Sequence, residues 1–290
     1  MSDQKLVTVF LMGGLGNQLF QLFACISYGI RTSRRIILPY SEALTYGTIR
    51  PTYWDNLFKT IKHMTTYNNL KYTANELTLF PLFQEDGYRF TEIASFDLPK
   101  VQLCGYFQSP KYFQDHYDTI CTLMNLPTQI SRVRNYYAKY FAENLHTISM
   151  HFRIGDYKHI QNLHPLMPVQ YYVLALNQLL LRRSGTECNV LYFCEENDLD
   201  DVSSMIAQIK SMVYGVHFVR ADSTISDWEQ MLLMASCNDN IIANSTFSWW
   251  GAYLNQTPNK QVCYPNMWFG PSATADVTDL FPTEWQRIMW

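Results

Sequence analysis

The sequence lacks the features that mark several large classes of protein. No uninterrupted apolar run reaches about 18 residues, so we expect no membrane span. The stretch Leu6–Met12 is short and is followed at once by glycines, unlike a secretory signal peptide. Positive charge is not in excess: 22 basic side chains stand against 25 acidic ones, and the net charge of −3 argues against a broad nucleic-acid-binding or anionic-membrane surface.

Cysteine is present, but in no arrangement that predicts a disulfide framework or a zinc site. The seven cysteines include no C-x-x-C pair, and their number is odd. Most stand in apolar surroundings, as buried thiols do in a reducing compartment. We therefore expect a soluble, cytoplasmic protein without a bound metal. The glycosylation sequons that begin at Asn244 and Asn255 have no meaning there.

The sequence does have an alternation of strand and helix patterns over its 290 residues. The strand-like run Leu6–Met12, a glycine turn, helical spacing over Asn17–Ile30 and the strand Ile36–Leu38 form the opening of a Rossmann-like half. Residues 40–98 show weak periodicity and are interpreted as loops, short helices and an irregular insertion. A second regular alternation starts at Thr147.

This alternation predicts an α/β fold with two Rossmann-like domains facing a cleft. The first domain is expected over residues 1–145 and the second over 146–274. Residues 275–290 are expected to pack back on the first domain.

A glycine-rich segment, Gly13–Gln18, lies between the first strand and the first helix. Gly14 and Gly16 would let backbone amides approach a ligand closely, and a helix N-terminus favours anionic groups. The segment is not a full G-x-G-x-x-G and has no Walker lysine. A plain tight turn is about as well supported as a binding loop.

The segment His151–Tyr157 follows a β-branched run that reads as a buried strand. Ligands of open α/β sheets collect at such strand ends. Arg153 suits a diphosphate there, because its planar fork donates two parallel hydrogen bonds and stays charged. The structural alternatives are a buried His151, a turn-forming Asp156 and an Arg153–Asp156 ion pair without further role.

A third segment, Ala243–Gly251, follows the strand that contains Ile241 and Ile242. Its hydroxyls and amide can serve phosphate and sugar groups at a strand-to-helix turn. Helix capping by Ser245 or Ser248 and core packing of the two tryptophans are the structural alternatives. Asp198 and Asp200 form a D-x-D pair, but Asp198 stands where a helix N-cap is expected, and we favour capping.

Taken together, these segments resemble the GDP-fucose:β-galactoside α-1,2-fucosyltransferase family in its soluble, bacterial-type form, glycosyltransferase family 11. Several motifs occur in the right order, so chance agreement is improbable. The segments that carry the resemblance are Gly13–Gln21, Gly105–Phe113, His151–Tyr157, Met167–Tyr172 and Cys237–Gly251.

The resemblance implies a two-domain GT-B fold, with the acceptor expected on the first domain and the GDP-sugar on the second. It also implies a metal-independent, inverting transfer of L-fucose from GDP-L-fucose to the 2-hydroxyl of a terminal β-galactoside. It implies that Arg153 holds the donor diphosphate and that Asn17 faces the fucose or the acceptor. His151, Gly14 and Gly16 are expected to contribute to substrate binding. Four residues of the third segment are expected against the GDP: Asn244, Ser245, Thr246 and Phe247.

Two positions depart from the family pattern. Ile154 stands where a second arginine is common. Gln230 stands where an acid commonly contacts guanine or ribose, with Glu229 beside it as a substitute. For the base that removes the acceptor proton, Asp156 is the nearest carboxylate in the motif, and Glu42 is the runner-up.

Two other functions remain open at this stage. One is a GT-A glycosyltransferase that uses Asp198 and Asp200 with a divalent metal. The other is a non-catalytic protein that binds a nucleotide sugar or a glycan and has lost the chemistry through Ile154 and Gln230.

Overall fold

The computed structural model describes residues 4–69, 71–142, 145–183 and 186–290. The chain forms two compact units, each with its own parallel sheet. The first unit comprises residues 1–128 and 275–282, and the second comprises 129–274 and 283–290. The predicted α/β class with two Rossmann-like units is confirmed. None of the helices in the described ranges has the length and apolar character needed to cross a bilayer.

The division between the units falls at residue 128, not at 145 as the sequence suggested. The intervening residues belong to the second unit because they bond to it: Arg134 donates to the carbonyl of Ser236, and the hydroxyl of Tyr140 accepts from the amide of Asp222 at 2.9 Å. The C-terminal residues also divide differently from expectation. Only residues 275–282 join the first unit, whereas 283–290 join the second.

The first unit contains a four-stranded parallel sheet with the strand order β2-β1-β6-β5, and a separate antiparallel pair, β3-β4. Its elements are β1 (Leu6–Val9), α1 (Leu15–Arg31), β2 (Arg35–Ile36), β3 (Ala43–Leu44), β4 (Arg50–Pro51), α2 (Ala74–Leu77), β5 (Leu82–Gln84), β6 (Lys100–Cys104), α3 (Tyr117–Leu123) and α4 (Leu126–Tyr136). The last helix, α4, continues into the second unit.

The predicted opening of strand, glycine turn, helix and strand is present. Helix α1 packs on the sheet with Leu19, Phe23 and Ile26 fully buried. The region 40–98 is largely irregular, as expected, but it also supplies β5 to the sheet. The sequence did not predict this strand because its three residues are mostly exposed and carry no burial pattern.

The second unit contains a six-stranded sheet with the order β12-β11-β10-β7-β8-β9, and every pairing is parallel. Its elements are β7 (His146–His151), α5 (Val169–Arg182), β8 (Cys188–Phe193), α6 (Leu199–Met212), β9 (Val216–Arg220), α7 (Asp227–Ala235), β10 (Asp239–Ile241), α8 (Thr246–Tyr253), β11 (Val262–Pro265) and β12 (Gln286–Ile288).

The strand order reverses between β7 and β10. The chain proceeds from β7 outward to β8 and β9, then crosses to the other side of β7 for β10, β11 and β12. Such a switch point opens a crevice at the carboxyl ends of the two central strands, where ligands of doubly wound sheets bind. A ligand site is therefore expected at the carboxyl ends of β7 and β10.

The core of the second unit fixes the shape of these strand ends. Tyr171 and Tyr172 of α5 are fully buried, and each finds a partner for its hydroxyl. Tyr171 donates to the carbonyl of Cys263 at 3.2 Å, and Tyr172 donates to the carbonyl of His151 at 3.1 Å. The seven cysteines are free thiols, five of them buried, in agreement with the predicted lack of a disulfide framework.

A buried ionic cluster ties together the amino end of the same sheet. Asp239, the first residue of β10, has no exposed surface. Its carboxylate accepts from Arg183 at 2.9 and 3.0 Å and from the amide of Gln261 at 2.7 Å, and it lies 2.6 Å from His146. Burial alone would raise the pKa of Asp239, but the bonds from His146, Arg183 and Gln261 lower it overall. The aspartate is therefore ionised at neutral pH.

We expect Asp239→Asn to lower the free energy of unfolding by about 3 kcal/mol, because it leaves Arg183 with a neutral partner in a buried cluster. Since the folded-state pKa is lowered, the stabilisation is present at neutral pH and is lost as the pH falls below the carboxyl's ordinary pKa of about 4. Urea denaturation at pH 7 measures the effect. The exposed Asp200→Asn should shift the unfolding free energy by no more than about 0.5 kcal/mol. Equal midpoints for the two variants would contradict the assignment.

Candidate active site

The structure brings two of the predicted motifs together at the switch point of the second unit. His151 ends β7, and Asn244 to Phe247 connect β10 to α8 and form its first turn. The imidazole of His151 lies 5.5 Å from the ring of Phe247, measured between centroids. The hydroxyl of Tyr157 donates to the carbonyl of Asn244 at 3.3 Å. The two segments, almost 90 residues apart in the sequence, therefore line one crevice.

Arg153 lies beside Tyr157 and is held from three sides. Its guanidinium forms ion pairs with Glu195 and with Asp156, and it lies 4.9 Å above the ring centroid of Tyr157. The side chain is only 18% exposed. Burial alone would lower the pKa of Arg153, but the carboxylates of Glu195 and Asp156 raise it overall. The site thus contains a fixed positive charge with little solvent around it.

The loop after β7 is anchored to the loop after β8 by Asp198. The carboxylate of Asp198, only 2% exposed, accepts from the amide of Gly155 at 2.7 Å and lies 3.5 Å from the ammonium of Lys158. Gly155 has a φ of +27°, and a β-carbon there would lie 3.1 Å from the carboxylate of Glu195. This position therefore favours glycine, which lets the loop approach Glu195.

Asp198 is the N-cap residue of α6, as predicted, but its side chain makes no capping bond. Its carboxylate accepts from the amide of Gly155 instead. Asp200 is exposed on the first turn of α6. In the described part of the chain, no three histidine, cysteine, aspartate or glutamate residues are grouped so that they could hold a metal ion.

Three buried polar atoms of these segments have no hydrogen-bond partner among the described residues: Nδ1 of His151, Nδ1 of His164 and Oδ1 of Asn244. His164 stacks on Tyr157 with ring centroids 4.7 Å apart. Asn244 uses its amide nitrogen to hold the carbonyls of Pro165 and Trp268, at 3.0 and 3.1 Å, which fixes its orientation. Buried polar atoms are nearly always paired, so three unpaired ones in one crevice indicate where a ligand or ordered water binds.

The first turn of α8 offers backbone amides to the same crevice. Ser245 is the N-cap, and its hydroxyl accepts from the amide of Phe247 at 3.3 Å. Thr246 and Phe247 are half-buried, whereas Trp249 and Trp250 are buried completely. The tryptophans therefore fill the core, as the structural alternative proposed, and the preceding residues remain available at the helix N-terminus, which favours anions.

The structure also shows where the two departures from the family pattern lie. Ile154 is 6% exposed and belongs to the apolar core of the second unit, so its side chain is a packing residue. Gln230, in the first turn of α7, donates to the carbonyl of Ile225 at 2.8 Å. Its neighbour Glu229 accepts from the hydroxyl of Ser226. Among the described residues, neither Gln230 nor Glu229 has a hydrogen bond to Arg153 or Asn244.

The remaining predicted residues lie in the first unit, at the carboxyl end of β1. Gly13 has a φ of +78°, and a β-carbon there would lie 2.5 Å from the side-chain nitrogen of Asn17. Gly14 is the N-cap of α1, and Gly16 is buried inside that helix, not in the turn where the sequence placed it. The carbonyl oxygen of the Asn17 side chain accepts from Gln108 at 3.0 Å.

The glutamines of the motif have structural roles. Gln18 donates to the carbonyls of Gly13 and Pro51, at 3.1 and 2.9 Å, and so ties α1 to β4. Gln21 bridges the amide of Met12 and the carbonyl of Gly105. Glu42 is exposed just before β3. The motif therefore shapes the strand end in addition to presenting Asn17.

Sequence reasoning missed Glu195 and the part that Tyr157 and His164 have in the crevice. Glu195 follows β8, the neighbour of β7, and strand ends in a parallel sheet meet at one edge. Knowledge of the strand order would have placed Glu195 beside Arg153. The sequence alone gives no strand order, and this residue carries no local motif.

The free energy of unfolding at acidic pH should depend on His151. This side chain is only 8% exposed, and burial, followed by the charge of Arg153, lowers its pKa to about 3. The unfolded chain binds a proton at His151 below pH of about 6.5, whereas the folded chain does not, so stability is present above that pH and falls as the pH decreases towards 3.

We expect the His151→Phe variant to lose less stability than the wild type between pH 7 and pH 5, by about 2 kcal/mol. Urea midpoints at the two pH values measure the difference. His217→Gln, which removes an exposed histidine, is the control for loss of a histidine outside the core. Identical pH dependence of the wild type and His151→Phe would show that His151 is not held neutral.

The sequence is similar to those of two bacterial glycosyltransferases over more than nine-tenths of its length. The O-antigen biosynthesis glycosyltransferase WbnK of Escherichia coli is 27% identical in an alignment that covers 92% of this chain and 96% of the relative. An alpha-1,2-colitosyltransferase of Escherichia coli is 27% identical in an alignment that covers 98% of this chain and 99% of the relative.

Solved structures show the same fold. The NodZ alpha-1,6-fucosyltransferase co-crystallised with GDP matches with a TM-score of 0.50 at 14% identity, over 86% of this chain and 91% of NodZ. POFUT1 in complex with GDP-fucose matches with a TM-score of 0.50 at 11% identity, over 90% of this chain and 98% of POFUT1. The fold is GT-B-like, as predicted. The model of glycosyl transferase family 11 matches residues 1–289, and the chain therefore belongs to that family of glycosyltransferases.

Proposed function

We propose that the protein transfers L-fucose from GDP-β-L-fucose to a glycan acceptor, the 2-hydroxyl of a terminal β-galactoside, with inversion and without a metal. The observation that carries the proposal is Arg153, a largely buried guanidinium at the switch point of the second unit, with His151 and His164, each of which has an unpaired ring nitrogen, nearby. Such a crevice suits the diphosphate of a nucleotide sugar. The GDP and GDP-fucose in the structures of NodZ and POFUT1 support the choice of donor.

The proposed mechanism depends on charge at the leaving group. As the bond between fucose and the diphosphate breaks, negative charge grows on the phosphate oxygens. A guanidinium held in place beforehand interacts more strongly with that charge in the transition state than with the ground state, and so lowers the barrier. Burial of Arg153 strengthens the effect, because little water screens the charge.

The diphosphate competes with carboxylates for Arg153. Glu195 and Asp156 already hold the guanidinium, and together they give the trio a net negative charge. Donor binding therefore requires the diphosphate to displace at least one of them. Displacement of Asp156 frees a carboxylate beside the reacting groups, and we assign it as the base that accepts the proton of the attacking hydroxyl. Asn17 of the first unit is assigned to orient the fucose or the acceptor.

The nucleotide is assigned to the wall formed by the end of β10 and the first turn of α8. Amides at the start of α8, with the hydroxyls of Ser245 and Thr246, are suited to phosphate and ribose oxygens. The ring of Phe247 offers an aromatic face to the nucleotide. The neutral imidazole of His151 offers a hydrogen-bond acceptor. Glu229 is the proposed substitute for the family's nucleotide-binding acid.

A second donor is favoured by the alpha-1,2-colitosyltransferase relative, which aligns with almost the whole chain. Colitose is fucose without one ring hydroxyl, so one pocket accommodates both with a single hydrogen bond changed. Donor assays should therefore include the GDP derivatives of both sugars, and the one with the higher kcat/KM identifies the donor.

We expect Arg153→Ala to reduce transfer by at least about 100-fold, because it removes the charge that stabilises the leaving group. The assay combines GDP-fucose with lactose and measures GDP release and the fucosylated product. Circular dichroism checks that the variant is folded, and Arg182→Ala, at an exposed arginine of α5, is the matched control.

Near-normal turnover by folded Arg153→Ala would overturn the proposal. The same assay with and without a chelator separates the metal-dependent alternative, since loss of activity with the chelator would favour it. Absence of any transfer by the wild type, with intact GDP binding, would favour the non-catalytic binder.

Because a carboxylate and the diphosphate compete for Arg153, removal of the charge of Glu195 is expected to increase the affinity for GDP. Glu195→Gln removes one negative charge near the diphosphate, which relieves repulsion of about 1 kcal/mol, and should tighten GDP binding roughly three- to tenfold. Glu196→Gln, at the adjacent residue, is the control because Glu196 pairs with Arg220 instead. Isothermal titration calorimetry with GDP measures both. Weaker binding by Glu195→Gln would show that this carboxylate orients Arg153 for the ligand and does not compete with it.

A further inference from the structure

Four aromatic side chains lie at the carboxyl edge of the sheet in the first unit, and we name them the aromatic row: Phe10, Tyr46, Tyr106 and Tyr88. Phe10 follows β1, Tyr106 follows β6 and Tyr88 follows β5, which are neighbours in that order in the sheet. Tyr46 is in the turn between β3 and β4. This is the same edge at which Asn17 and Gln108 meet.

The rings of the aromatic row contact one another. Tyr46 and Phe10 pack edge to face with centroids 5.5 Å apart, and Tyr88 and Tyr106 stack with an interplanar angle of 7°. Burial, and then the hydroxyl of Tyr46, raise the pKa of Tyr106. Tyr46 nevertheless remains 66% exposed. Packing of the core accounts for a buried ring such as Phe107, but it does not account for Tyr46.

The backbone that carries the row is fixed in advance of any ligand. Glu85, 6% exposed, accepts from the amide of Phe107 at 2.7 Å, and burial raises the pKa of its carboxyl. A β-carbon on Gly105 would lie 2.4 Å from the side chain of Glu85, so the loop passes directly over it. Phe107 adopts a φ of +52°, which non-glycine residues rarely do. Such strain persists only where the surroundings hold it, and it concentrates at functional sites.

Flat aromatic rings beside amide side chains suit a pyranose. Galactose has three neighbouring ring C–H bonds on one face, which pack against an aromatic face, while its equatorial hydroxyls lie at the ring edge and its axial 4-hydroxyl is on the opposite face. Asn17 and Gln108 carry the amide donors and acceptors that such hydroxyls require. Apolar faces with a few placed polar groups are typical of small-molecule sites.

We propose that the aromatic row is the acceptor site: the apolar face of the terminal galactose stacks on Tyr46 or Tyr106, and Asn17 with Gln108 binds its hydroxyls. This proposal rests on the proposed function in so far as the acceptor is a galactoside. It names the residues of the first unit, already expected on the acceptor side, that contact the sugar.

The test uses Tyr46→Ala, because the side chain is exposed and its loss leaves the core intact. The KM for lactose should rise about five- to tenfold, whereas the KM for GDP-fucose and the affinity for GDP should stay within twofold of the wild type. Tyr46→Phe keeps the ring and should restore the wild-type KM. Tyr214→Ala, at a tyrosine of the second unit that is 82% exposed, is the matched control.

A direct measurement of lactose binding distinguishes an error in the assigned acceptor site from an error in the proposed function. Saturation-transfer NMR with lactose reports contact without turnover, and the ring C–H protons of galactose should receive the strongest saturation. Tyr46→Ala and Tyr106→Leu should each weaken that signal. Unchanged lactose contact in both variants, or no lactose contact in the wild type, overturns the acceptor site, whereas loss of transfer with contact intact speaks against the transferase instead.

Discussion

The candidate site depends on the ion pairs that hold Arg153 between Glu195 and Asp156. A guanidinium with so little exposed surface would be costly without opposite charge, and a single carboxylate would leave part of its donor fork unpaired. The two acids come from different places, one from the loop after β7 and one from the end of β8. Because Asp198 ties those same loops together through Gly155, the charge is fixed in position by the fold and not by one side chain alone.

The position of the trio follows from the topology of the sheet. Reversal of strand order between β7 and β10 separates the two strand ends enough for a ligand, and the loops that follow them supply the positive charge, the helix N-terminus and the unpaired polar atoms. The neutral state of His151 is part of the same arrangement. An uncharged imidazole beside Arg153 provides a polar edge without adding a second positive charge.

The sequence predicted the parts of the structure that local patterns encode. A buried strand followed by polar residues can be recognised in one sequence, and this pattern identified the segments His151–Tyr157 and Asn244–Phe247. Such residues meet at the carboxyl edge of a parallel sheet. Glu195 was not found, because its importance arises from the adjacency of β7 and β8. The N-cap position of Asp198 was predicted from its local sequence, but its actual partner, a residue 43 positions earlier, was not, for the same reason. The strands β5 and β12 were missed because most of their three residues are not buried, so no apolar run marks them, whereas β10 is equally short but fully buried.

The buried cluster around Asp239 lies at the amino end of the sheet, and the crevice around Arg153 lies at the carboxyl end. Strands of three to six residues separate the two. Substitutions in the loops at the carboxyl edge therefore leave the ionic anchor of the sheet untouched, and changes in the anchor leave these loops intact. Such a division lets the candidate site diverge on an unchanged scaffold.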